Sequence, residues 1–379
     1  MPVRIAGSAV RSCFGDGPAT FAALLRAECG ARPLRHQDPA RSGVEYGYEI
    51  HDPTPGPFRA SAWLADCARE ALAAAGVDPA ARRTTAIVGT GLRELPAVEA
   101  MAVGEARFHT ESLHFGAALA GAAPGIGEVH TLAGACSAGG HALALAQDLI
   151  ELGEADAVLV GGTDAMTVSM LAMIGRVAET PTTRVRPFDA DDHGVLLGEG
   201  AVAVVLVPDD PAGSAGAAGR AGHVRLLGTG LSCDAWHETA PDHTGILRAM
   251  RDAFDRAGRT PGDVGVVYAH GTGTALNDPA EARALAELFG ECDPGPLVTA
   301  VKGAVGHTSG GSALLSLAMA VHGLEAGVVP PVSGLRRPLP EAAGLRLVRD
   351  APMRTAASTV QIDAFGFGGV NAVALIEAA

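Results

Sequence analysis

Lysine is nearly missing from this 379-residue chain: of its 28 basic residues, 27 are arginine, and Lys302 stands alone in "AVKGAVGHTSGG" (300 to 311). The plain reading of a lone lysine is a solvated surface charge, but a surface lysine would have been free to become arginine, and this one has not. Positive charge is scarce overall. The formal net charge of -14 repels nucleic acid and anionic membrane, which excludes both as ordinary partners. Long hydrophobic runs are missing as well: "AVAVVLV" (201 to 207) is strand-sized, far short of the roughly 20 residues of a membrane span. "MPVRIAGSAV" has no signal-peptide core, so a cytoplasmic protein is expected. The six cysteines lack paired spacing, which favours reduced thiols over disulfides or a zinc site.

Small side chains are abundant instead. Gly numbers 50 and aromatics make up only 4%, so elements can approach closely. Short β-branched runs, many ending in Gly, alternate with Ala/Leu-rich stretches. Candidate strands are 85 to 91, 156 to 165, 201 to 207, 264 to 273 and 358 to 369; candidate helices cover 139 to 153 and 311 to 327. That alternation predicts an α/β protein with sheets covered by helices. A Pro/Gly/Ala-rich linker, 207 to 223, divides the chain into halves at 1–210 and 220–379. The halves resemble each other: "CSAGGHAL" (136 to 143) aligns with "HTSGGSAL" (307 to 314), placing Cys136 on His307. Two related halves packed face to face can point two helix N-termini into one site.

Cys136, in "GACSAGG", lies where a strand gives way to a helix. A free Cys among small residues is usually a buried apolar residue, but a helix N-terminus favours a thiolate. His270 in "YAHGTGTALNDP" ends a predicted buried strand, and His307 opens a helix after a Gly-rich turn. One Cys and two His at such places suit acyl transfer through a thioester. Lys302 ends the predicted strand "LVTAVKG", and Glu281 in "NDPAEARAL" can pair with it. "DAFGFGGVNA" (363 to 372) is a Gly-rich turn with two Phe but without the helix of a dinucleotide fingerprint. "CDAWHETAPDH" (233 to 243) matches no standard metal spacing and reads as a loop near the pocket.

Taken together, "GACSAGG", "RPFDADDHGVLLGEGA" (186 to 201), "AHGTGTALNDPAEA", "VKGAVGHTSG" and "FGFGGVNA" occur in an order that resembles the β-ketoacyl synthases, the condensing enzymes of fatty acid and polyketide assembly. The resemblance spans nearly the whole chain. It implies a thiolase-like fold: duplicated βαβαβαββ halves in a five-layer αβαβα sandwich. It also implies that Cys136 takes an acyl group from a carrier-protein thioester, with the backbone N–H groups of Cys136 and Phe367 as the oxyanion hole. His270 and His307 would hold a malonyl-type thioester and stabilise its enolate as carboxylate is lost, giving a β-ketoacyl product. Lys302 would hold the histidine that follows it, paired with Glu281. Thr272 and Thr274 would bond the phosphopantetheine arm, and Phe365 and Phe367 would gate the pocket. No metal or other cofactor is expected beyond that arm, which arrives with the substrate.

Three departures bear on these expectations. Where fatty-acid-type members carry a Glu nine residues after the second His, this chain has Ser316. The stretch 92 to 125, which in relatives lines the acyl pocket and dimer contact, is short. The helix after "GPFRASAW" has no lysine, which leaves Arg59, Arg176 and Arg184 as candidates for docking an acidic acyl carrier protein. The expected assembly is a homodimer or a heterodimer with another ketosynthase-like subunit. Two rival readings are an acyltransferase that works without decarboxylation and a non-catalytic chain-length partner, which would typically lack the nucleophile.

Overall fold

A computed structural model describes residues 2–35, 37–52, 56–177, 182–191, 194–209 and 224–378. Most of the predicted linker, with the boundary between 210 and 220, lies outside the described residues. Ten strands carry the architecture. In the first half they are β1 (Val3–Arg11), β2 (Thr84–Thr90), β3 (Val129–Ala133), β4 (Ala157–Asp164) and β5 (Gly200–Pro208). In the second they are β6 (Val224–Cys233), β7 (Val266–Tyr268), β8 (Leu297–Thr299), β9 (Thr359–Gly366) and β10 (Val370–Ala378). The first five are ordered β3-β2-β4-β5-β1 and the second five β8-β7-β9-β10-β6, so the two groups share one internal order. Each also shares one pattern of direction: two parallel pairings, then two antiparallel ones. The groups meet edge to edge where β1 pairs antiparallel with β6 at Val3–Ile5.

Five helices complete the layers: α1 (Arg59–Ala75), α2 (Ala138–Glu151), α3 (His243–Ala257), α4 (Asn277–Phe289) and α5 (Ser312–Ala326). The first covers β1, β4 and β5 from outside, while α3 covers β6 and β10 with α4 beside it. Between the strand groups lie α2 and α5, each touching strands of both halves. Sequence and burial agree on this placement. From Ser312 to Val321 every residue of α5 is buried, as befits a helix with sheet on both sides, whereas α3 is amphipathic, with Arg and Asp outward and Ile246, Leu247, Met250 and Phe254 inward. Small residues permit the contact at the centre. A Cβ on Gly139 would lie 2.7 Å from the Gly310 carbonyl oxygen, and one on Gly310 only 2.5 Å from the Thr90 backbone.

The repeat is real in strand order but its local register differs from the alignment of small residues. Ala135 (φ 50°) and Ser309 (φ 46°) each adopt the left-handed conformation and each open a three-residue 3₁₀ turn, Ala135–Ser137 and Ser309–Gly311, that feeds α2 and α5. Cys136 is therefore the counterpart of Gly310, not of His307. The repeated Gly-Gly pair had misled the alignment, because its two copies sit at different depths in their helices. Lys302 is also displaced from its expected strand. It begins a short helix, Lys302–Val305, three residues beyond the end of β8. Among the described residues no helix is long and apolar enough to cross a membrane.

Candidate active site

At the C-terminal end of β3 the chain turns through Gly134 and Ala135 and presents Cys136 at the mouth of α2. The backbone N–H of Phe367 and that of Cys136 itself reach the sulfur, and Lys302 acts on it electrostatically. All three favour a thiolate, yet burial outweighs them and pushes the Cys136 thiol up to about 11. The expectation that the helix terminus makes a thiolate available is thus corrected. In the resting protein the group is a thiol, because loss of water costs the anion more than the dipole returns.

His270 follows β7, and His307 follows the short Lys302 helix; both are buried. Their rings meet edge to face with centroids 5.5 Å apart, and Phe365 lies 5.6 Å from His270. The Lys302 ammonium donates to His270 twice, to the carbonyl at 2.5 Å and to Nδ1 at 3.3 Å. An ammonium has no lone pair, so Nδ1 accepts and the His270 proton resides on Nε2, facing away from the lysine. Nδ1 of His307 lies 2.9 Å from the Ser312 hydroxyl, and its backbone is fixed by Leu196 and Gly198. Burial, reinforced by the Lys302 charge, lowers both imidazoles well below their ordinary value. They are neutral hydrogen-bond donors.

Two expected partnerships change. The lysine grips His270, the histidine before it, rather than His307. Glu281 does not form a close ion pair with Lys302; its oxygens accept from the backbone N–H of His270 (2.6 Å) and Gly271 (2.8 Å) and from Asn277 Nδ2 (3.1 Å). The physical reason is that α4 points its first turn at the β7 turn, whose backbone donors are otherwise unmatched. Burial moves Glu281 up to about 7 and Lys302 down to about 8.

Sequence reasoning missed two carboxylates that shape the site. Asp164, at the end of β4, accepts from Thr90 Oγ1 (2.7 Å) and the N–H groups of Gly91 (2.9 Å), Leu92 (2.8 Å) and Gly310 (2.8 Å). It joins the turn after β2 to the turn after His307, across the two halves. Asp278 does the matching work after β7, accepting from the N–H groups of Thr272 (3.0 Å), Gly273 (3.0 Å) and Phe188 (2.6 Å). The signal was present as an acid at a strand end in "GGTDA" and another beside "GTGTALN", but nothing local says which turns they hold.

Thr272 and Thr274 lie on that cradled turn with their hydroxyls 2.9 Å apart. Phe365 is buried in β9 as a wall beside His270, whereas Phe367, in the turn beyond β9, is half-exposed. The loop from Cys233 rests on this turn: Asp234 N–H donates to Gly369 and Gly368 N–H to Glu238. Within that loop His237 Nδ1 accepts from Thr239 and Ala240 N–H, which makes it a turn cap. Of the three docking candidates, Arg176 is exposed and half-buried Arg184 bonds the Ser333 hydroxyl at 3.0 Å. Arg59 is not a docking residue. Its guanidinium is taken inward by Glu199, at 2.9 Å, and lies 4.5 Å over the Trp63 ring.

Residues 59–212 match the profile of the beta-ketoacyl synthase N-terminal domain and residues 223–336 that of its C-terminal domain. Nodulation protein E of Rhizobium meliloti is 37% identical over 249 residues, 65% of this chain and 61% of the relative. The 3-oxoacyl-[acyl-carrier-protein] synthase 2 of Rhizobium meliloti (strain 1021) is 33% identical over 262 residues, 66% of this chain and again 61% of the relative. These matches thus span less than two thirds of either relative's length. A solved structure described as the ishigamide ketosynthase/chain length factor aligns with 100% of this chain and 99% of its own, at 30% identity and a TM-score of 0.88. A type II polyketide synthase assembly, AntDE with its acyl-carrier protein AntF, shares the fold at 21% identity and a TM-score of 0.88. The fold is the thiolase fold, and with its two domain matches in order and a full-length structural relative, this chain belongs to the β-ketoacyl synthase family.

Proposed function

We propose that the protein is a decarboxylating condensing enzyme acting on carrier-protein thioesters. The observation that carries the reading is the company kept by Cys136: a half-buried thiol acted on by the backbone N–H groups of Cys136 and Phe367, beside two neutral imidazoles and an ammonium. In the first step the Cys136 sulfur attacks the acyl thioester, and its proton leaves with the carrier thiol. The N–H groups of Cys136 and Phe367 receive the oxyanion, and each such donor contributes on the order of 3 kcal/mol. Thr272 and Thr274 hold the incoming phosphopantetheine arm.

In the second step a malonyl-type thioester places its carbonyl oxygen against the Nε2–H groups of His270 and His307. Carboxylate departs as carbon dioxide, and the enolate oxygen gathers charge that these donors meet without solvent reorganisation. The new carbon nucleophile attacks the acyl group, and the Cys136 thiolate is released to the N–H groups and the Lys302 field that favour it. One proton returns it to the resting thiol. The acyl carrier protein is the expected partner in both steps, with Arg176 and Arg184 as docking candidates. β3, with no strand beyond it at its end of the sheet, is the edge on which we place a partner subunit, identical or ketosynthase-like.

Intact-protein mass spectrometry tests this. Incubation with acyl-carrier proteins should give an acyl adduct on Cys136 that disappears when malonyl carrier is added, with a chain longer by two carbons. An adduct that persists would replace condensation by acyl transfer to another nucleophile. Turnover unaffected by Cys136→Ala would assign the chemistry to another subunit.

A further inference from the structure

Three carboxyl groups are buried around the single ammonium of Lys302: Asp278 and Glu281 from α4 and Asp363 from β9. Their hydrogen bonding is unequal. Asp278 and Glu281 have both oxygens filled by donors, as set out above, which is the environment of a carboxylate. Asp363 accepts one bond, from Gln361 Nε2 to Oδ1 at 2.8 Å, and its Oδ2 is buried with no partner among the described residues. Gln361 Oε1, on the same face of β9, is a second buried acceptor without a donor. A bare carboxylate oxygen in that setting is costly, and like charges at such range do not all ionise.

We propose that Asp363 is kept as a neutral carboxylic acid and positions Lys302: being uncharged, it leaves the ammonium to His270, whose Nε2–H then stays aimed into the site. The hydrogen-bond inventory assigns the proton to Asp363, since it has the fewest donors. Among the groups packed round it, Glu281 and Lys302 act on it directly, while His270 follows the neighbouring strand and Cys136 faces Lys302 from the turn before α2. The β10 neighbour is Val373. Burial together with Glu281 raises the Asp363 carboxyl well above its ordinary value, in the same direction as the geometry. The positioning role rests on the condensing reading; the protonation state does not.

The test therefore reads the proton rather than turnover. A group protonated in the folded chain and ionised in the unfolded one makes the unfolding constant rise tenfold per pH unit between their pKa values. Comparing wild type with Asp363→Asn from pH 5 to 8 by urea unfolding, the wild-type constant should rise more steeply by about tenfold per unit. A merely structural role would shift both curves by a constant amount instead. Infrared spectra of wild type at neutral pH should also show a protonated-carboxyl C=O band, traced to aspartate by isotope labelling, and this holds even if the variant fails to fold. Equal slopes, or no aspartic acid band, would overturn the proposal; stability that then depends on added sodium or potassium would show that a cation, not a proton, balances the cluster. Should the proton be found and condensation not, the protonation stands and the catalytic reading falls.

Discussion

Lys302 is held by two acceptors of one residue, the His270 carbonyl and Nδ1, and a compact ammonium fits between them. Arginine would bring a wider, planar group to a place with no room for it. We expect Lys302→Arg to lower condensation about 10²-fold through the displaced His270 ring. Acylation of Cys136, measured by mass spectrometry, should fall much less, because in the proposed mechanism the imidazoles serve the second step. Cys136 itself offers a pH test. With its thiol near 11, alkylation by iodoacetamide should accelerate about tenfold per pH unit from 7 to 10, whereas an ordinary thiol would level off by about 9. A plateau near pH 8 to 9 would refute the account of a buried neutral thiol.

At the scale of elements, the site is a set of turns between strands and helices, fixed by carboxylates rather than by side-chain packing. Asp164 alone satisfies donors on two turns from opposite halves. Replacing it by Ala leaves four donors without this acceptor, those of Thr90 and Gly310 fully buried, and we expect a loss of about 3 kcal/mol, read as a lower urea midpoint with unchanged slope. "GACSAGG" and "AHGTGTALND" gave the turns and their chemistry away in the sequence, because Gly, Cys and His at strand ends have few structural uses. Which acid holds which turn was not legible: Asp164 and Gly310 are 146 residues apart and meet only through the sheet. The reach of Lys302 was misread for the same reason, since proximity in sequence favoured His307 while the short helix turns the ammonium toward His270.

Across the whole molecule, buried charge links the layers and sets the pH response. Arg59 on α1 and buried Glu199 before β5 form an ion pair, so Arg59→Met should destabilise the fold by about 3 kcal/mol by removing the cation that faces Glu199 and leaving it the N–H groups of Ile50 and Met166. Burial raises Glu94, Glu199 and Glu281 to about 7 and Asp164 to about 6. Their contribution to stability is complete below the unfolded carboxyl range and is lost as pH rises through 6 to 7. The lowered histidines act oppositely, losing stability as pH falls below about 6.5. Burial raises Asp278 and Asp363 as well, so the raised carboxyls outnumber the two imidazoles, and urea unfolding at pH 5, 6 and 7 should show stability falling with rising pH.

The sequence by itself determined the α/β alternation, the duplication and the Cys, His and Lys that meet at the candidate site, because strand ends and glycine turns leave local marks in residue type. Only the tertiary structure decided the register between the halves, the neutral state of the thiol and imidazoles, the inward turn of Arg59 and the partner of the lone lysine. Those depend on how much water is excluded and on which distant backbone donors face which acids, and both are properties of the packed layers.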